Sequence, residues 1–300
     1  MKENIASEFK ELQSFICSEL ERFDGVGRFQ EDVWERNEGG GGRTNILSTG
    51  KLIEKGGVAF SEVFGEVTQE MKKQLGTEGD SFFATGVSIV LHPHSPHIPI
   101  IHMNVRYFEL SNGQYWFGGG IDLTPHYVIP NQAALFHNQL KQICDAFDKE
   151  FYVRFKPWAD DYFFISHRNE TRGIGGIFFD HLSDKNCSLS KEKLFEFCKE
   201  LGKAFPRIYN EQMMLGENLE IQDNHREWQR LRRGRYVEFN LVHDRGTKFG
   251  LVSGGRTESI LLSMPPSANW VYNFQAKEDS PEQQTLNWLK KEIDWLSFLN

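Results

Sequence analysis

The sequence predicts an α+β fold, a single domain over residues 1–300 in which helices flank a mostly antiparallel sheet on both sides. Three observations predict it. Segments of β character follow one another through connections as short as HPHSPH and LSNGQ, which suit hairpins and leave no room for the helical crossovers of a parallel sheet. Segments of helical period stand before, between and after them. No repeat or low-complexity linker divides the chain.

A first helix follows from Phe9, Leu12, Phe15, Ile16, Leu20 and Phe23, which recur at three- and four-residue steps. Four consecutive glycines at 39–42 open a stretch to Gly57 that reads as a loop. Its STGK is not a phosphate loop, because that motif needs a glycine where Asn45 stands. Strands are predicted at 86–92, 100–108, 115–117 and 121–123. A helix is expected over 131–154 on Phe136, Leu140, Ile143, Phe147 and Phe151, with His137 one residue off that stripe. A strand at 161–167 and a neighbour at 177–179 come next. A helix on Leu194, Phe197, Cys198, Leu201 and Phe205 should kink or end at Pro206. After a basic helix end at Arg230, Arg232 and Arg233, strands are expected at 236–242, 249–253 and 259–264. The last helix begins with Ser280 as cap and Pro281 at the first position, and runs on Leu286, Leu289, Ile293 and Leu296.

With 39% hydrophobic and 25% charged residues the chain can bury a large core, which excludes disorder and a disulfide miniprotein. A formal charge of -8 argues against nucleic acid as a partner. No run reaches the roughly 18 apolar residues of a membrane span, and MKENIASEFKEL is charged where a signal peptide is apolar, so a cytoplasmic protein without integral membrane association is expected. Cys17, Cys144, Cys187 and Cys198 stand far apart and read as reduced, mostly buried thiols.

Candidate chemistry lies on the predicted strands. Side chains two apart share a face, so Ser88 and His92 point one way, as do His102, Asn104 and Arg106, while Ile101, Met103, Val105 and Tyr107 form the opposite, apolar side. A polar stripe of serine, histidine, amide and arginine without lysine or glutamate looks like ligand-reading groups; a solvated outer face is the plainer alternative. His92, His94, His102, His137 and His167 supply enough imidazoles for a metal, although none shows HExxH spacing and scattered histidines are commonly just hydrogen-bonded. Gly118, Gly119 and Gly120 inside a strand fit either a bulge or close approach by a flat ligand, and Asp122 after them is placed to act as base or acceptor. Arg168 and Arg172 in HRNETRGIGG, and Arg256 after Ser253, Gly254 and Gly255, combine a planar donor fork with free backbone, which favours binding a carboxylate or phosphate over the commoner surface ion pair. These features describe a site for a flat ligand bearing several carboxylates.

The same segments resemble the oxygen-dependent coproporphyrinogen-III oxidases of haem biosynthesis. The resemblance runs from EGGGG near residue 38 through GVSIVLHPHSPHIPIIHMNVRYFE, YWFGGGIDLTP, WADDYFFISHRNETRGIGGIFFD and LRRGRYVEFNLVHDRGTKFGL to ESILLSMPP. It implies a seven-stranded antiparallel sheet, a homodimer with a contribution from about 236–269, and oxidative decarboxylation of two propionates of coproporphyrinogen-III to vinyl groups. The product would be protoporphyrinogen-IX, with O2 as co-substrate and CO2 and H2O2 released. It assigns His102 as proton donor, Asp122 to the pyrrole nitrogens, and Ser88, Asn104, Val105, Arg106, Gly254, Gly255 and Arg256 to substrate, with Arg106 also beside the chemistry. No organic cofactor is implied. In bacterial members a divalent, manganese-like cation is assigned to four histidines that match His92, His102, His137 and His167, whereas eukaryotic members are regarded as working without metal. Two other readings stay open: a histidine-metal dioxygenase of another aromatic acid, which a chelator would silence, and a non-catalytic tetrapyrrole carrier, which would consume no oxygen.

Overall fold

The computed structural model describes residues 1–69, 71–72, 79–252 and 255–299. Helix α1 (Lys2–Asp24) buries Ile5, Phe9, Leu12, Ile16 and Leu20, the predicted stripe. It stops at Gly25, whose φ of 79° is free of strain only without a side chain and whose N–H donates to Glu21 O. The buried Asp24 carboxylate accepts from the backbone N–H groups of Gly27, Lys51, Leu52 and Ile53 at 2.7–3.0 Å. The STGK turn is thus filled by the chain's own anion. Burial raises that carboxyl, but the four backbone bonds outweigh it and hold it below the usual range.

Seven strands form one antiparallel sheet in the order β1-β2-β3-β4-β5-β6-β9, with a two-stranded ribbon β7-β8 beside it. They are β1 (Gln30–Glu35), β2 (Gly40–Leu47), β3 (Ile53–Glu66), β4 (Ser81–Pro93), β5 (Ile100–Leu110), β6 (Tyr115–Thr124), β7 (Phe164–Ile165), β8 (Glu170–Thr171) and β9 (Gly176–Leu182). Ile101, Met103, Val105 and Tyr107 of β5 are fully buried in the main core, as their period predicts. Helices α1, α2 (Pro130–Asp145), α4 (Lys191–Gly216) and α3 (Lys149–Tyr162), the last packed beside β9, add to that core.

The opposite face of the sheet is roofed at one end by α5 (Asp223–Glu238), a π-helical turn (Phe239–His243), α6 (Arg245–Val252) and α7 (Thr257–Leu261). Arg233 ties this roof to β3 through Glu54 at 2.6 Å, His92 to Ser263 O at 2.9 Å and Lys55 to Met264 O at 2.7 Å. Gly57 makes the contact possible, since a Cβ there would lie 2.1 Å from Leu262 Cδ2. Helix α8 (Pro281–Trp288) starts at its Ser280 cap, which accepts from Gln283 N, and ends earlier than its apolar period continues; a 3-10 turn (Trp295–Phe298) completes the described chain.

Several sequence expectations are corrected. Most of the glycine-rich stretch is strand: Gly39 and Gly40, with φ of 126° and 83°, make the β1–β2 hairpin turn, and all the rest but the turn at 48–52 pairs in the sheet. The helix expected over 131–154 is two helices, α2 and α3. Residues 161–167 are the end of α3 and the two-residue β7 rather than a strand. Segment 236–242 is helical, as is the described part of 249–253, and 259–264 is the end of α7 followed by a turn. Asp244 works there as a cap, its carboxylate accepting from Thr247 N at 2.7 Å, where the sequence read a turn. Pro206 does not end α4, which runs 26 residues through it.

Candidate active site

The sheet register fixes the polar face. His102 stands opposite Val90 and Asp122, Asn104 opposite Ser88 and Gly120, and Arg106 opposite Gly86 and Gly118. Cross-strand partners point to the same face, so Ala59, Gly57, Gly86, Gly118 and Gly120 make a low floor around those polar groups. The triple glycine carries a bulge, and its first residue makes room for a side chain of the chain itself. The register shifts between Phe117 and Gly119, a bulge, and a Cβ at Gly118 would lie 2.6 Å from Arg106 Nε. The Arg106 guanidinium therefore lies across Gly118, where its Nη2 meets Asp180 Oδ1 at 2.7 Å and about half of the side chain stays exposed.

Three charged or polar side chains lock together beside it. His102 Nδ1 lies 2.8 Å from Asp122 Oδ1, and Arg172 Nη2 donates to both Asp122 oxygens at 2.9 and 2.8 Å. Asp122 is 1% exposed and Arg172 3%, whereas the His102 side chain is 24% exposed. Burial raises the Asp122 carboxyl; Arg172 and the His102 hydrogen bond outweigh it and hold the group ionised below the usual range. A buried carboxylate is stable here because a buried guanidinium faces it. Aromatic rings of Phe163, Tyr236 and Phe239, with centres 4.5, 4.5 and 4.6 Å from the guanidinium carbon, enclose Arg172. With Nδ1 pinned by the carboxylate, Nε2 of His102 is the nitrogen available to a ligand.

The other predicted residues are distributed as follows. Ser88 and Asn104 are half-buried on the floor. Val105 is fully buried in the core on the far face, so its side chain cannot meet a ligand on this one. Arg256 pairs with Asp32 at 2.5 Å and, with Lys55, Thr44 and Ser259, lines a cavity of about 280 Å³ at the β1–β3 end of the same face. Gly255 is exposed beside it, and Gly254 lies outside the described residues.

The histidines do not form a metal centre. His92 is buried with Nε2 on Ser263 O, and His137 is buried in the main core, donating to Ile174 O and accepting from Tyr152 Oη. His102 belongs to Asp122, and His167 bonds Glu238 and His243 near the surface. Among the described residues no three His, Cys, Asp or Glu side chains are grouped to hold a metal ion. The residues do not fit the cation: His92 and His102 share one face of the sheet but each is bonded to a partner of its own, while His137 is buried in the main core and His167 lies near the surface.

Sequence reasoning noticed Arg172 without giving it this role, and missed Phe163, Tyr236, Phe239, Asn240 and Asp180. The one local signal for them was the i, i+3, i+4 spacing of Tyr236, Phe239 and Asn240, hidden by the strand reading.

An ionised, deeply buried carboxylate backing a reachable imidazole, next to an exposed arginine on a flat floor, defines a site for proton chemistry on an acid-bearing planar ligand. The profile of the family described as coproporphyrinogen III oxidase matches residues 4–295. The chain is 45% identical over 310 residues to the oxygen-dependent coproporphyrinogen-III oxidase of Prochlorococcus marinus (strain NATL1A), covering 96% of this chain and 89% of that one. It is 46% identical over 300 residues to the enzyme of the same description from Drosophila melanogaster, covering 95% and 76%. The chain belongs to the coproporphyrinogen III oxidase family, and it is an oxidoreductase of haem biosynthesis.

Proposed function

We propose that this chain converts two propionate side chains of coproporphyrinogen-III to vinyl groups, giving protoporphyrinogen-IX. For each one, the propionate and O2, with one proton, give vinyl, CO2 and H2O2: the carboxylate leaves as CO2, the neighbouring carbon gives up a hydrogen, and two electrons reduce oxygen. The observation that carries the reading is the His102–Asp122–Arg172 assembly facing the same floor as Arg106. Arg106 holds a propionate by its donor fork. His102 Nε2 meets the reacting side and supplies the proton that the balance requires, while Asp122 stabilises the charged imidazole. Ser88 and Asn104 orient the ring edge, and Arg256 reaches a remote carboxylate. Asp122 acts from behind His102, since its own surface is closed.

The same reading includes a homodimer and a cytoplasmic location. Leu241, Val242 and Leu251 are exposed apolar side chains within the expected dimer segment. The four cysteines are free, and no helix among the described residues is long and apolar enough to cross a membrane.

The test is incubation of chelator-treated, metal-assayed protein with coproporphyrinogen-III in air and under nitrogen, following vinyl product by fluorescence. Product only in air, from metal-free protein, is expected. Binding without oxygen uptake would make it a carrier, and product only after iron or manganese returns would establish a metal enzyme.

A further inference from the structure

Arg172 makes one contact on the side away from Asp122 as well. Its Nη1 donates to Asn240 Oδ1 at 2.8 Å, and Asn240 is 3% exposed. Tyr236, Phe239 and Asn240 stand at i, i+3 and i+4, so one side of the chain delivers two ring faces and an amide oxygen to the same guanidinium. At this point α5 widens into the π-helical turn, Asp244 N donating to Phe239 O at 2.9 Å, a distortion of the kind that gathers at functional sites. Stacking restrains a guanidinium against tilting but leaves it free to turn in its plane; a hydrogen bond to the second nitrogen removes that freedom. The Arg172 backbone is also fixed, its N–H donating to Phe163 O at 2.8 Å.

We propose that Asn240 is a positioning residue for the reaction: it sets the rotation of Arg172, which aims the Asp122 carboxylate and so orients His102 toward the substrate. The inference rests on the function proposed above. Asn240 sits behind Arg172 and acts through it.

The test is steady-state turnover of coproporphyrinogen-III by the full chain carrying Asn240→Leu and, as a gentler change, Asn240→Ser. Each should lower kcat roughly tenfold or more with KM within about twofold. The same substitutions are then made in an Arg172→Lys background, which keeps a cation at Asp122 but has no second nitrogen for Asn240. There they should change kcat by less than about twofold. An equal loss in both backgrounds, or a raised KM with intact kcat, overturns the proposal. Nitrogen-15 spectra of the arginine guanidinium groups supply a readout independent of activity. Arg172 should show distinct, slowly rotating Nη signals in the unmodified chain that merge in Asn240→Ser; their persistence in the variant also overturns it. If the unmodified chain turns over no substrate, the reading of the function fails while these spectra still decide whether Asn240 holds Arg172.

Discussion

Arg106 and Arg172 show how differently one residue type is used at a single site. Arg172 is buried, sandwiched by rings and paired with a buried carboxylate, so truncating it would leave Asp122 uncompensated. Arg106 is half exposed and pairs with the partly exposed Asp180, a pair worth little by itself and readily exchanged for a substrate carboxylate. Arg106→Ala should therefore raise KM by roughly ten- to a hundredfold, the loss of one charge-assisted clamp, with kcat less affected. Unchanged KM would remove the clamp. The polar stripe Ser88, His102, Asn104 and Arg106 was legible because a strand's period of two needs no knowledge of the rest of the molecule. Arg172's cradle was not, because it joins α3, α5 and the π-turn, which meet only in the folded chain.

Among the elements, β6 leaves little room above its glycines, where an added Cβ would lie 2.4–2.6 Å from its neighbours. Gly118 gives Arg106 its bed, so Gly118→Val should displace the guanidinium and raise KM as Arg106→Ala does, while the melting temperature falls by no more than a few degrees. A variant with normal KM would show that the floor is not where substrate lies. The elements the sequence placed well were those with a long period and a clear stop: α1 ending at Gly25, β4 to β6, and α8 starting at Ser280. Segment 236–242 was misplaced because alternation of apolar and polar residues over seven positions also satisfies a helix when i, i+3 and i+4 positions share one partner, here Arg172. Residues 39–57 were misplaced for the converse reason: glycine reads as loop locally, yet β2 and β3 use it to pass beneath Trp34 and Leu262.

For the whole molecule, buried imidazoles link stability to pH. Burial lowers His92 and His137 to about 3 in the folded chain, from an unfolded value of 6.5. Between those values the unfolded chain binds more protons, so stability is full above about pH 6.5 and is lost as pH falls toward 3. The slope approaches about 1.4 kcal/mol per pH unit for each histidine. The urea midpoint should fall steadily from pH 6.5 to 4, and less steeply in His137→Gln, which keeps a donor for Ile174 O. Identical slopes in the two proteins would show that His137 is not held neutral. The same two histidines, each tied to a backbone carbonyl in its own layer, were expected as metal ligands because sequence shows residue types and not their separation in space.

In the proposed reaction the buried carboxylate of Asp122, acting through His102, serves the chemical step on this face of the sheet. Steady-state kinetics of Asp122→Ala with coproporphyrinogen-III test it most directly. The structure predicts a fall in kcat of roughly a hundred- to ten-thousandfold with KM nearly unchanged, in folded protein confirmed by its circular dichroism. Losses appearing mainly in KM, with kcat preserved, would contradict the account and leave Asp122 a binding residue alone.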